Sequence, residues 1–220
     1  MISLSNVLVE IDHVKILQGV SFQISPNYFY CLVGPNGSGK TTVINLIMQI
    51  LKVKSGDVDT LSSKDISYLP QNLPDPPFLS VKEVISVAIN KEIKASNLRQ
   101  EVLNSLTDQF HLEGILNRKF SDISAGEKQR AWLAFAIAQE KGMIIMDEPL
   151  SSVDRKLRGE FYSLLKGISM EGRTLLVVTH DIDMALGYAD KIISLENGKV
   201  VFEGSSTEFD GQLKKDRLRG

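Results

Sequence analysis

Cysteine and tryptophan are nearly absent, with one of each in 220 residues. The single thiol, Cys31, excludes an intrachain disulfide and suits a reducing compartment. It falls in an apolar stretch, where a small buried thiol is the default reading and a reactive one the exception. A charge excess is missing too. The 25 Lys and Arg against 27 Asp and Glu leave a formal net charge of −2, which gives no reason to expect nucleic acid as a partner. Basic residues gather only at the end, at Lys214, Lys215, Arg217 and Arg219. They read as a solvated terminus, with contact to anionic lipid as the alternative. No apolar run approaches the roughly 18 residues needed to cross a bilayer, and the first residues do not read as a secretory signal. The expectation is a soluble chain whose membrane role, if any, runs through a partner. Internal repeats and low-complexity tracts are also absent, and the length suits one α/β domain with a real core.

What is present is a nonapeptide, Gly34-Pro35-Asn36-Gly37-Ser38-Gly39-Lys40-Thr41-Thr42, of the form G-x-x-x-x-G-K-[ST]. It follows an apolar run, Tyr28 to Val33, that reads as a buried strand. Val43, Ile44, Ile47 and Leu51 come next at helical spacing. Strand, glycine loop and helix together make the pattern a phosphate site. Glycines let successive backbone N–H groups face inward with no Cβ in the way, and the helix N-terminus adds partial positive charge. Lys40 is placed to reach the β- and γ-phosphates and Thr41 to put its hydroxyl on Mg²⁺. The chain is therefore predicted to bind a nucleoside triphosphate.

Short strands are predicted at Val7 to Ile11, Val20 to Ile24 and Ile66 to Leu69. The stiff turn Asn72-Leu-Pro-Asp-Pro-Pro77 excludes a helix or strand interior. Ser80-Val-Lys-Glu83 is a capping box that opens a helix through about Lys94, and a second helix covers about Asn97 to Phe110. Residues 78 to 140 thus read as mostly helical, inserted between strands of a sheet. The αβ pattern resumes with a strand at Met143 to Met146, a helix from about Arg155 to Ile168 and a strand at Thr174 to Thr179. Asn197-Gly198 then joins Lys191–Leu195 to Lys199–Phe202 as a hairpin.

The strand Met143-Ile-Ile-Met ends in two acids, Asp147 and Glu148. Ligands gather at the carboxyl ends of strands in α/β sheets, so Asp147 is placed to hold Mg²⁺. Glu148 is placed to take a proton from an attacking water. His180 ends another apolar strand, where it can contact the γ-phosphate and hold the water and Glu148 in line.

At these residues the chain resembles, over nearly its whole length, the ATP-binding subunits of ABC transporters. Tyr68-Leu-Pro-Gln71 resembles the Q-loop, whose glutamine touches the Mg²⁺ or water. Ile123-Ser124-Ala125-Gly126-Glu127 resembles the signature motif, usually LSGGQ. Ser151-Ser-Val-Asp154 resembles the D-loop, and His180 the switch histidine. The resemblance implies a P-loop NTPase core, with a RecA-like parallel sheet and an antiparallel β subdomain, plus an inserted helical subdomain. Residues 1–220 would form one ABC ATPase domain. Its nucleotide-binding core would lie at 1–71 and 141–220, and its helical subdomain at about 72–140.

The resemblance further implies ATP and Mg²⁺ as ligands. It implies a head-to-tail dimer in which Ser124 to Glu127 of one copy meet the γ-phosphate bound by the other. The remaining implied partners are integral membrane permease subunits and a solute-binding protein, at the cytoplasmic face of the cell membrane. Stretches after the signature and after His180 look most like importer ATPases for iron–siderophore, haem and cobalamin uptake. A soluble ABC ATPase of iron–sulfur cluster assembly and an exporter subunit stay open as alternatives.

The sequence departs from the family pattern at Ala125, where glycine is usual, and at Glu127, where glutamine is usual. It departs again at the slot for an aromatic residue that stacks on adenine, which falls at Ile11 and offers apolar cover without π-stacking. Base discrimination should accordingly be weak. Dissociation constants for ATP and GTP, measured by titration calorimetry, should agree within about tenfold; a larger gap sinks the idea.

Overall fold

The computed structural model describes residues 1–89 and 95–217, with side chains as far as 214. The chain opens with β1 (Ile2–Ile11), β2 (Val14–Ile24), β3 (Phe29–Val33), α1 (Lys40–Ile47), β4 (Ser55–Asp59) and β5 (Ile66–Leu69). Three helices follow without an intervening strand: α2 (Val81–Ala88), α3 (Ser96–Gln109) and α4 (Ala125–Ala138). The remainder alternates through β6 (Met143–Asp147), α5 (Arg155–Met170), β7 (Thr174–Thr179), α6 (Ile182–Tyr188), β8 (Lys191–Glu196), β9 (Lys199–Ser205) and α7 (Ser206–Arg217).

β3, β6 and β7 are near-continuous apolar runs because both faces of their sheet are covered. Along β3, Phe29, Cys31 and Val33 enter one core, packed on the helices, while Tyr30 and Leu32 enter a second on the opposite face. β6 and β7 divide the same way, with Ile144, Met146, Leu175 and Val177 in the first core and Met143, Ile145, Leu176 and Val178 in the second. The resulting six-stranded sheet has the order β5-β6-β7-β3-β8-β9, parallel except for β9, which returns antiparallel through the Asn197–Gly198 turn. A three-stranded antiparallel sheet, β2-β1-β4, closes the second core over α1. The fold is thus the α/β class expected, a mixed sheet with an antiparallel β layer and helices between β5 and β6.

Those helices attach firmly to the sheet. The buried Ser67 hydroxyl on β5 donates to the Ala136 carbonyl of α4 at 2.9 Å. Phe120 is fully buried and lies 4.8 Å, ring to ring, from Trp132 of α4. α2 begins at the capping box read from Ser80 and Glu83, in which Ser80 Oγ accepts from the Glu83 N–H and Glu83 accepts from the Ser80 N–H. Cys31 is buried, and burial pushes its thiol pKa well up, as befits a packing residue.

Several boundaries move. β1 and β2 extend well beyond the segments predicted, because cross-strand pairing carries polar stretches that propensity alone would leave irregular. α1 ends at Ile47 rather than running through Leu51: Gln49 takes a left-handed φ of 59° and reverses the chain. α2 is described to Ala88, and residues 90–94 of the helix expected through Lys94 lie outside the described residues. Lys214, Lys215 and Arg217 fall on α7 rather than on an irregular terminus. Lys214 pairs with Asp210 at 2.6 Å, and Arg219 lies outside the described residues.

Candidate functional site

Four adjacent parallel strands end at one edge of the sheet; β3, β5 and β6 lead into residues that line a cleft of about 430 Å³, and β7 brings His180 against Glu148 at its border. β3 leads into the glycine loop. Gly34 has a left-handed φ of 148°, and a Cβ there would sit 2.1 Å from the Leu195 carbonyl oxygen. Gly39 has φ 104°, and its Cβ would meet Leu17 Cδ2 at 2.6 Å. A larger residue at position 34 would displace the β8 backbone, and one at position 39 would be strained at its positive φ and would crowd Leu17. Gly39 caps α1 without a side-chain hydrogen bond, so the first N–H groups of that helix remain for a ligand. Asn36, Gly37, Gly39 and Thr42 line the cleft with Lys40 and Thr41. Gly34, Pro35 and Ser38 do not line it: Pro35 is exposed, Gly34 is half-buried, and the Ser38 hydroxyl is buried without a hydrogen-bond partner among the described residues.

The Lys40 ammonium donates to the carbonyls of Gly34 at 2.8 Å and Pro35 at 2.9 Å, which folds the lysine along the loop. Burial lowers its pKa, and the negative charges of Glu148 and Asp147 oppose that shift. Asp147, at the end of β6, is only 5% exposed. Burial raises its carboxyl pKa, a hydrogen bond from Thr41 opposes the rise, and Glu148 adds to it. Thr41 Oγ1 lies 3.4 Å from Asp147 Oδ2. A hydroxyl and one carboxylate facing an open cleft match what Mg²⁺ takes from a protein, since it fills its remaining positions with phosphate and water. No group of three or more His, Cys, Asp or Glu forms a metal cage among the described residues, and such an ion does not require one.

Glu148 occupies a left-handed backbone position, φ 48°, which is uncommon for a residue with a side chain. Its N–H donates to Val178 on β7 at 3.0 Å, and this turns the carboxylate into the cleft. There it meets two neighbours. Gln71, just past β5, donates from Nε2 to Oε2 at 3.2 Å, and His180, just past β7, places Nδ1 3.3 Å from Oε1. A carboxylate held between an amide and an imidazole can accept a proton from a water lodged against it.

Ile11, the slot expected to cover adenine, falls outside the cleft lining. It ends β1 at a two-residue turn and is 43% exposed. Ile16, on the returning strand β2, is the apolar side chain that lines the cleft. None of the residues lining the cleft is aromatic.

Ser124, Ala125, Gly126 and Glu127 stand apart from the cleft, at the start of α4. Ala125 is the first helical residue, so a methyl group fits where glycine is usual. Ser124 donates from its N–H and its hydroxyl to Glu127 Oε2, both at 2.7 Å, and its Oγ accepts from the Glu127 N–H at 3.4 Å. Gly126 lets α4 approach the loop after β6, for a Cβ there would stand 3.2 Å from the Ser152 carbonyl oxygen.

Sequence reasoning missed two residues beside this motif. Gln129 donates to Ser151 Oγ at 2.9 Å and accepts from the Ser152 N–H at 2.8 Å. Lys128 pairs with Asp75 in the proline-rich turn after Gln71. Helical spacing places both on the face they use, but nothing in the sequence names their partners.

The comparisons with known proteins agree with this geometry. The family model described as ABC transporter matches residues 17–151. The chain is 33% identical over 208 residues to a Pyrococcus horikoshii protein named as a candidate ABC transporter ATP-binding protein, covering 88% of this chain and 79% of that one. It is 31% identical over 230 residues to the petrobactin import ATP-binding protein FpuC of Bacillus anthracis, covering 94% of this chain and 82% of that protein. Among solved structures, an ATP-binding cassette described as a dimeric post-hydrolysis state bound to ADP and Pi matches with a TM-score of 0.81 and 28% identity, covering 94% of this chain and 99% of that one. The site and fold are those of a nucleotide-hydrolysing P-loop protein. The chain belongs to the ABC transporter family and is an ATPase subunit of that family.

The Ser124–Glu127 pairing has a pH signature. Hydrogen bonds from the Ser124 side chain and backbone hold the Glu127 carboxyl pKa below its ordinary value. The folded state thus favours the carboxylate, and its contribution to stability is present above the usual glutamate range and is lost as pH falls through it. The difference in thermal midpoint between the native chain and Glu127→Gln should shrink on acidification below about pH 4. A pH-independent difference in scanning calorimetry would refute this.

Proposed function

We propose that the chain energises solute import through a membrane permease, and that the solute is a metal chelate or cobalamin. The ATP hydrolysis that drives it is carried by the meeting of Gln71 and His180 on Glu148, beside Asp147 and Lys40. In this reading the cradle from Gly34 to Thr42 holds the triphosphate, with Lys40 shifting from the loop carbonyls to the β- and γ-phosphates. Thr41, Asp147 and Gln71 hold Mg²⁺, which when bound offsets the negative charge on the phosphates. Glu148 takes a proton from water as its oxygen attacks the γ-phosphorus, and the bond to ADP breaks to release phosphate. His180 steadies Glu148 and the γ-phosphate.

Ser124 and the first turn of α4 supply donors to the nucleotide of a second copy, so that two copies enclose two ATP molecules head to tail. Opening after hydrolysis drives the permease. The core formed by 1–71 and 141–220 carries the cradle, and the helical segment at about 72–140 carries Ser124. The proline-rich turn leads to Phe78, which is 89% exposed, a side chain suited to bury against a permease subunit. Import is supported by the likeness to FpuC, and a solute-binding protein belongs to such a system. The chain then sits at the cytoplasmic face of the membrane, although none of its described helices is long and apolar enough to cross it.

Glu148→Gln should leave Mg–ATP affinity intact and lower kcat by about two orders of magnitude, with an ATP-bound dimer accumulating on size exclusion. Retained turnover would mean that another group activates the water. Affinity purification from detergent-solubilised cells should recover a multi-span membrane protein. Recovery of a soluble iron–sulfur scaffold in its place would overturn the transport reading.

A further inference from the structure

Arg158, on the first turn of α5, lies outside every motif named above, yet three acceptors from two loops converge on its guanidinium. Nε donates to the Val153 carbonyl at 3.0 Å, Nη2 to the Ser151 carbonyl at 3.2 Å, and Nη1 to Asp181 Oδ2 at 3.4 Å. The first two belong to the loop that begins at Glu148. Asp181 directly follows His180. A single planar cation therefore ties together the two segments that present Glu148 and His180 to each other.

The surroundings leave Arg158 little alternative geometry. The Arg158 side chain is 26% exposed and that of Asp181 25%. The second oxygen of Asp181 is committed to the N-cap of α6, accepting from the Met184 N–H at 3.2 Å. One turn further along α5, the Tyr162 hydroxyl bonds to Thr179 at the end of β7. On its far side, the Ser151–Ser152 segment is gripped by Gln129 of α4. The loop from Leu150 to Asp154 is thus clamped between α4, which carries Ser124, and α5, which carries Arg158. Leu150 and Val153 anchor it in the core.

We infer that Arg158 is a positioning residue for hydrolysis: it fixes the spacing of Glu148 and His180 by holding the carbonyls of Ser151 and Val153 and the carboxylate of Asp181 in one fork. The inference rests on the reading of Glu148 and His180 given above. A guanidinium suits this task because its donors are fixed in a plane and can serve several acceptors at once, whereas an ammonium is a point donor on a flexible stem. Arg158 touches no residue lining the phosphate cradle, so its loss should disturb chemistry and spare nucleotide affinity. Misplacement of a catalytic pair by a fraction of an ångström to about 1 Å is sufficient for a large rate loss.

The test uses the full chain with Mg–ATP, in single-turnover hydrolysis and equilibrium binding, for Arg158→Met, Arg158→Lys, Asp181→Asn and the double variant Arg158→Met/Asp181→Asn. Asp181→Asn keeps an oxygen for the α6 cap and serves where Arg158→Met fails to fold. Arg158→Met should lower the rate by at least about tenfold with Kd changed by less than about twofold. Arg158→Lys should restore only part of the loss, and the double variant should be little worse than Arg158→Met alone, because the two side chains act as one unit. An unchanged rate, a Kd that rises in step with the rate loss, full rescue by lysine, or additive losses in the double variant would each overturn the inference. His180→Ala, measured alongside, separates it from the reading beneath it. If His180→Ala is inactive while Arg158→Met turns over normally, only the role of Arg158 falls. If His180→Ala is fully active, the role of His180 falls and that of Arg158 with it.

Discussion

The cleft depends on one constraint, the parallel alignment of four neighbouring strands whose faces are both buried. Because β5, β6, β7 and β3 run the same way, their carboxyl ends meet along a single edge. Gln71, Asp147 with Glu148, His180 and the glycine loop are then neighbours, although more than a hundred residues separate the first from the last along the chain. The register pairs Cys31 with Val177 and Ile145 with Leu176. Sliding a strand by one residue would exchange its two core faces and move its terminal polar groups out of reach. Position in the site is therefore inherited from packing in the two cores, which contain no polar group of the chemistry itself.

The helical segment is built differently. Ser124 and its neighbours sit on the first turn of α4, and that helix is joined to the rest through few polar contacts. Gln129 holds the loop after β6, Lys128 holds the proline-rich turn after Gln71, and Ser67 holds the C-terminal part of the helix. Glu127, the substitution that departs from the family pattern, satisfies the open N-terminal donors of its own helix through Ser124. It also spends the serine hydroxyl on a local bond. In the head-to-tail arrangement proposed above, a phosphate from another copy would have to displace a carboxylate from that hydroxyl.

Most of the fold and of the cleft was legible in the sequence because punctuation and chemistry coincide. Glycines mark the cradle, paired acids mark the end of β6, and a histidine marks the end of β7, each directly after an apolar run. The capping residue Ser80 was legible for the same local reason, whereas Ser124 was read through the signature resemblance and its capping bond to Glu127 was not. What escaped detection depends on distant partners. β4, Ser-Gly-Asp-Val-Asp, has only one half-buried apolar side chain and is a strand because β1 offers it an edge. α7 is mostly polar and is held by Phe209, which packs against Phe202 at 4.9 Å. Ile16 rather than Ile11 lines the cleft, a difference that counting back from Leu17–Ser21 could not show because it depends on how the β1–β2 hairpin sits against the glycine loop. Arg158 and Gln129 look like ordinary helix-surface residues until the loops they bind are folded.

Trp132 gives the protein a reporter of its own. It is the sole indole in the chain. One face meets Phe120, and its ring borders a small space shared with Gln71, Gln129 and Glu148. Its emission therefore samples the seam where the helical segment meets the hydrolytic edge of the sheet, and any relative shift of the two alters the polarity and quenching around one chromophore. The working cycle should be readable by eye of a fluorimeter, with no label attached and no residue replaced.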